Sequence, residues 1–350
     1  MFKEIKISSP GKIILCGEHA VVYGKKALAC SVDLRTTLTA SHTSNNFFQL
    51  ILINLNKTVE IKKEDFMSIR SSPISSEPNA IINHLEKVEN DKIVSSLKFF
   101  ILLDPDLEWS KIAGLQVLVS SEIPIASGLG SSASYSTCLS SLFFVLGSNR
   151  VFSESDLETI NRNAYYIEKF FHGNPSGLDN SVSTYGNFVV FEKGQIREKF
   201  TSDQKLNVLI INSQIPKQTL EQVKKVRSLY EKHTAVLDSL MNTVDILVDK
   251  FVQSLKEKSS LDGIKDLVTI NQGLLYALQI SNQSLNSIVN ICEKFGFGAK
   301  ITGAGGGGCC ITIFDHANRL EELKLCLTEN SFLPFETRLG SKGVRIDEIN

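Results

Sequence analysis

The chain has 350 residues, 42% apolar and 21% charged, with a net charge of −1. That length can hold two ordinary domains with a sizeable core, and the balanced charge predicts no nucleic-acid or membrane partner. Seven scattered cysteines without metal-ligand spacing, no apolar leader and no run near 18 apolar residues point to a reducing, cytoplasmic setting without zinc or a disulfide scaffold.

Residues 4–62 read mostly as strands, with period-two stretches at 12–15, 33–40 and 47–54. A polar, serine-rich loop follows, then a helix over 79–103. Next come a strand at 115–119, a glycine-serine turn and a helix over 131–146. A second helix spans 153–171, with Ser153 as N-cap and Asp156 at its third position. Gly173-Asn-Pro-Ser-Gly ends it. In the second half, strands at 188–191 and 207–212 precede a long helical stretch, 218–295, without proline. Strands at 299–302 and 310–314 flank six residues of which five are glycine. A helix at 318–327 and strands at 335–339 and 344–346 finish the chain. A mixed first half and a helix-rich second half suggest two α+β domains, 1–186 and 187–350. The basic run 217–232 reads as one solvated helix face, because glutamates alternate with its lysines.

Three stretches carry candidate chemistry. The central one is Pro124-Ile-Ala-Ser-Gly-Leu-Gly-Ser-Ser-Ala-Ser-Tyr135. A strand, a glycine-serine turn and a helix start make an anion site, because the first helical N–H groups lack internal partners and the dipole is positive there. Gly128 and Gly130 let backbone approach a phosphate closely. The loop lacks the Gly-x-x-x-x-Gly-Lys-Ser/Thr of a P-loop. It mimics the dinucleotide fingerprint only in part, since it opens neither the chain nor a βαβ unit with a following acidic residue. The first stretch, 8–24, places Lys12 at a strand start and Glu18 and His19 between apolar runs. By themselves these read as a strand-edge lysine and a core histidine. In the second helix, Glu168 falls on the flank of the stripe Leu157, Ile160, Ala164, Ile167 and Phe171. A carboxylate there must pair or bind a cation, and the two readings stand level. Asp179, after a Pro-Ser-Gly turn, reads alone as a turn or cap residue. The last stretch, 300–309, contains four consecutive glycines, which a compact domain tolerates where backbone passes close to something.

Together, Pro10-Gly-Lys-x-x-x-x-Gly-Glu-His, Gly128-Leu-Gly-Ser-Ser-Ala and Thr302-Gly-Ala-Gly-Gly-Gly resemble the three motifs of the GHMP small-molecule kinases. Glu18-His-Ala-Val-Val-Tyr-Gly and His172-Gly-Asn-Pro-Ser-Gly-Leu-Asp-Asn resemble the branch of that family that acts on mevalonate. The match is weakest over 41–112, on the base-binding side. The resemblance implies a two-domain α+β fold. It also implies an N-terminal mixed α/β domain with a left-handed βαβ crossover, a smaller, helix-rich C-terminal domain and assembly as a homodimer.

The resemblance also implies ATP-dependent phosphorylation of the C5 hydroxyl of mevalonate in isoprenoid biosynthesis, with Mg²⁺. It assigns the triphosphate to Ser127, Gly128, Leu129, Gly130, Ser131, Ser132 and Ala133, and Mg²⁺ to Ser132 and Glu168. Asp179 becomes the catalytic base with Lys12 beside it, since a neighbouring ammonium favours the charged carboxylate. Glu18, His19, Tyr135, Ser176, Thr219 and Gly305 would line the mevalonate pocket. Lys217 stands where some relatives carry arginine, keeping charge without the fork. The alternatives are another family kinase, for phosphomevalonate or homoserine, or a non-catalytic sensor of the same fold. Retention of Lys12, Ser132, Glu168 and Asp179 together argues against the sensor, which needs no base.

Overall fold

The computed structural model describes residues 2–124, 127–258, 260–314 and 318–350, so Ile125 and Ala126 of the central stretch lie outside the described residues. Twelve strands form two sheets among these residues. In chain order they are β1 (Glu4–Cys16), β2 (Ala27–His42), β3 (Phe48–Leu52), β4 (Lys57–Ile61), β5 (Leu115–Ser121), β6 (Phe188–Glu192), β7 (Gln195–Phe200), β8 (Asn207–Asn212), β9 (Ala299–Thr302), β10 (Cys309–Phe314), β11 (Leu333–Arg338) and β12 (Arg345–Ile349). The helices of the first half are α1 (Lys63–Arg70), α2 (Pro78–Val88), α3 (Lys92–Leu103), α4 (Trp109–Ile112), α5 (Ser131–Ser148), α6 (Leu157–His172) and α7 (Leu178–Tyr185). Those of the second are α8 (Thr219–Lys232), α9 (Thr234–Lys256), α10 (Leu261–Ala277), α11 (Gln283–Lys294) and α12 (Leu320–Glu329).

The first sheet runs β12-β1-β2-β5-β3-β4, and the hairpin β6–β7 joins it through β2. Every pairing is antiparallel except β3 with β5, which a crossover through β4 and α1–α4 makes parallel. The second sheet is β11-β8-β10-β9. Strands β6, β7 and β12 all follow residue 186 yet hydrogen-bond into the first sheet. Sheet membership and the expected boundary between 1–186 and 187–350 therefore do not coincide.

Two helical expectations change. The helix expected over 79–103 is two, α2 and α3, because the Asp91 side chain accepts from the Ile93 and Val94 N–H groups and caps a fresh start. The stretch 218–295 is four helices; one break falls where the Asn282 side chain accepts from the Leu285 N–H. No helix among the described residues is long and apolar enough to cross a membrane.

Strand β1 organises the packing. Its first half, with Ile5 and Ile7, shares a core with Leu38, Leu50, Val117, Leu139 and Ile167. Its second half, with Ile13 and Leu15, packs into a core that continues through Val208, Ile210 and Phe251 beneath the second sheet. Proline cannot donate to a ladder, and the register slips at Pro10: Pro10 faces Arg35 but Gly11 faces Val32. At that irregularity the Lys12 N–H turns to the Leu129 carbonyl at 2.8 Å. The bulge thus ties the central loop to the middle of the sheet.

Candidate active site

Loop 127–133 rests on β1 so closely that a side chain is excluded at Gly130. A Cβ on Gly130, whose φ is +78°, would sit 2.9 Å from Lys12 Cγ. Gly130 is the N-cap of α5 and no side chain caps that helix, so its first N–H groups face outward as an anion site. Helix α5 is anchored from below, the Ser134 hydroxyl donating to the Ser9 carbonyl at 2.6 Å. The Ser127 hydroxyl donates to the Pro124 carbonyl at 2.6 Å and shapes the loop entry.

Helix α7 starts after Gly177, φ +86°, with Asp179 in its first turn. Ser183 Oγ donates to the Pro10 carbonyl and Ser9 Oγ to the Ser183 carbonyl, both at 3.0 Å, so α7 is stapled to the same bulge. This places Asp179 Oδ1 3.1 Å from Lys12 Nζ, with the lysine side chain 5% and the aspartate 33% exposed. A cavity of about 350 Å³ opens in front of them. Gly128, Gly130, Ser131, Ser132, His172, Asp179 and Lys217 are among the residues that line it. Leu52, Ile93, Val119 and Tyr135 close its apolar end.

Glu168 lies buried below Ser132. Its Oε2 accepts from Ser132 Oγ at 3.2 Å and its Oε1 from Ser136 Oγ at 3.1 Å. Burial first, then the charge of Asp179, pushes its carboxyl pKa from 4.5 up to about 8. Lys217 reaches the cavity from the loop before α8, and burial together with the Lys12 charge pulls its ammonium pKa down. His172 is drawn down by burial and by the Lys217 charge.

The remaining expected residues are spread more widely. Leu129 and Ala133 are buried: the leucine contributes its carbonyl, and the alanine is helix interior. Tyr135 lines the cavity and its hydroxyl lies 3.0 Å from Ser96 Oγ. Glu18, expected in the pocket, instead pairs with Lys300, both side chains fully buried. Its second oxygen accepts from Asn271 Nδ2 at 3.3 Å, so the carboxylate is spent inside the protein. His19 Nε2 meets the Ala304 carbonyl at 2.9 Å and ties the first loop to the glycine loop. Ser176 and Thr219 are exposed and not on the cavity wall; the serine hydroxyl accepts from the Leu178 N–H at 3.3 Å and starts α7. Gly305, φ +78°, presses on the Ile280 carbonyl, which a Cβ would approach to 2.4 Å. Two titratable lining residues have no site role in the sequence reading, although Lys217 stands there as a position where some relatives carry arginine. His172 is one turn after Glu168 on the same helix face, a spacing that signals contact. Lys217 directly follows Pro216 and precedes α8, so it is outside the solvated face that the run suggested.

Two stability effects follow. Gly305→Ala combines a disfavoured φ with a backbone clash and is expected to cost about 1–3 kcal/mol. It would be read as a lower urea midpoint at unchanged slope. The Glu168 shift makes a pH statement. A carboxyl held above its unfolded pKa binds its proton more tightly when folded, so its contribution to stability declines as pH rises from about 4.5 to about 8. In metal-free buffer, Glu168→Gln is therefore expected to gain melting temperature over the wild type at pH 8.5, with the gain shrinking towards pH 5.5. A difference that stays flat across that window would refute the shift.

A helix-start anion site, a Lys–Asp pair beside it and a glycine loop pressed against the neighbouring loops define a small-molecule phosphotransferase. The models of the GHMP kinases N terminal domain and of the GHMP kinases C terminal region match residues 94–187 and 251–331. Human mevalonate kinase is 30% identical, aligned over 97% of this chain and 94% of its own length. The Arabidopsis thaliana mevalonate kinase is 31% identical over 98% and 99%. The crystal structure of the Methanococcus jannaschii mevalonate kinase superposes with a TM-score of 0.77 at 28% identity, covering 97% of this chain and 99% of that one. The chain belongs to the GHMP kinase family and, within it, to the mevalonate kinases.

Proposed function

We propose that the chain transfers the γ-phosphoryl group of ATP to the C5 hydroxyl of mevalonate and serves isoprenoid biosynthesis. Membership among the mevalonate kinases supports the acceptor, and the family implies ATP. The observation that carries the chemistry is the 3.1 Å Lys12–Asp179 pair, whose aspartate lines the same cavity as the uncapped start of α5. On this reading the triphosphate lies along 127–133. Asp179 takes the proton of the C5 hydroxyl as its oxygen attacks the γ-phosphorus. The bond to the β–γ bridging oxygen breaks in line, and ADP leaves. Lys12 holds Asp179 in place. Lys217 brings a second cation to the transferring charge, so acceptor contacts fall to Lys12, Asp179 and Lys217 rather than to Glu18. We count β6, β7 and β12 with the first of two domains that meet at this cleft.

Ser132 and Glu168 fit Mg²⁺. They offer hard oxygen donors, and a buried carboxylate beside a second carboxylate is a place a divalent cation would relieve. Among the described residues no cluster of three His, Cys, Asp or Glu could hold a metal, so phosphate oxygens and water would complete the set. When bound, the ion would neutralise charge on the β- and γ-phosphates.

The test is ADP release from Mg-ATP with mevalonate, phosphomevalonate, homoserine and galactose in parallel. Mevalonate-dependent turnover is expected. Turnover with another acceptor alone would transfer the chain to a different branch, and ligand-dependent stabilisation without turnover would make it a sensor.

A further inference from the structure

Ser132 has one hydroxyl hydrogen and two neighbours that compete for it. Glu168 Oε2 is 3.2 Å away and His172 Nε2 is 3.0 Å away. If the hydrogen points to Glu168, then Nε2 must carry its own hydrogen and donate to Ser132. If the hydrogen points to His172, then Nε2 must be bare and accept. A cation held jointly by Ser132 and Glu168 would favour the second arrangement. It takes the lone pairs with which Glu168 would have accepted, and Ser132 must turn a lone pair towards it. The displaced hydroxyl hydrogen would then need another acceptor, and among the protein groups the imidazole Nε2, 3.0 Å away, is already in place. The ring hydrogen moves to Nδ1, where a side chain 45% exposed can donate to water. Histidine can serve as this partner because its two nitrogens exchange donor and acceptor roles without a change of charge.

We propose that His172 is a positioning residue for the divalent cation: by accepting the Ser132 hydroxyl it aims the serine oxygen at the ion and releases Glu168 to ligate. The inference rests on the assignment of Ser132 and Glu168 as the cation's protein donors. It makes His172 an outer partner that orients a donor without touching the ion, a role whose loss lowers metal affinity about 10–100-fold in known metal sites. Glutamine can replace it, since Gln Oε1 can reach the place of Nε2 and accept; phenylalanine keeps bulk and cannot.

Two measurements test this. In protein labelled with ¹⁵N-histidine, addition of Mg²⁺ with a non-hydrolysable ATP analogue should move His172 Nε2 to the frequency of an unprotonated acceptor nitrogen. Mn²⁺ affinity of the nucleotide complex, read by electron paramagnetic resonance, should fall about tenfold or more in His172→Phe and stay within about threefold of wild type in His172→Gln. An Nε2 that remains protonated in the complex, or equal affinities in the Phe and Gln variants, would overturn the proposal. Glu168→Gln separates the two layers. If it too leaves Mn²⁺ affinity unchanged, the cation assignment itself fails. If it abolishes binding while His172→Phe does not weaken it, only the role of His172 fails.

Discussion

Asp179→Asn is expected to lower mevalonate-dependent kcat by about 10²–10⁴-fold, the usual worth of a positioned general base. The substitution conserves shape, and the amide oxygen can still accept from Lys12, whose ammonium is 3.1 Å away and nearly buried. What is lost is the ability to take a proton as the acceptor oxygen attacks phosphorus. Nucleotide binding should survive, because the loop N–H groups and Lys217 are untouched. The cation site should if anything improve, since Asp179 is one of the charges that raise the Glu168 carboxyl. The expected pattern is therefore a collapse of kcat with the ADP affinity of the Mg²⁺ complex held within about threefold or tightened. A kcat within tenfold of wild type would remove Asp179 from the chemistry, because that is below the smallest general-base contribution.

The sequence displayed the parts of this site that depend on backbone conformation. Gly128, Gly130 and Gly305 all have positive φ, and the glycine-rich signal they leave is local. It withheld the parts that depend on what buries a polar group. Helix α7 shows a short apolar stripe, Leu178, Val182 and Tyr185, but Asn180, Ser181, Ser183 and Thr184 are buried as well because β1 and Asn161 satisfy them, and no periodicity announces that. Lys217 was absorbed into a helix face because the run looks continuous, whereas α8 starts two residues later. The sheet boundary was hidden for a related reason. Strand β12 returns from the far end of the chain to β1, and the Arg35 guanidinium, donating to the carbonyls of Ser8, Lys342 and Gly343, fixes that return. A contact across some three hundred residues leaves no local pattern to read.

Lys300→Met is expected to destabilise the protein by about 3–5 kcal/mol, the penalty for removing one partner of a buried ion pair. Set against a typical total of about 5–15 kcal/mol, that is a large share. Both side chains are fully buried. The lysine ammonium is satisfied by the Glu18 carboxylate and by the carbonyls of Ile14 at 3.2 Å and Ile301 at 2.6 Å. Asn271 in α10 donates to Glu18 and to the Leu15 carbonyl. One cluster thus joins the end of β1, the edge of the second sheet and α10, beside the Thr302 hydroxyl that accepts from the Ile14 N–H at 2.9 Å. Loss of the lysine strands the Glu18 carboxylate, fully buried, without its counter-charge. The double variant Glu18→Gln/Lys300→Met removes both charges, keeps an acceptor for Asn271, and should regain most of the loss in urea unfolding. The comparison also decides what Glu18 does. If it serves the fold, Glu18→Gln lowers the urea midpoint and leaves KM for mevalonate within about threefold. If it serves the acceptor, KM rises and the midpoint stays. The geometry favours the first result, because the Glu18 carboxylate is fully buried and engaged by Lys300 and Asn271 in the joint between the two sheets.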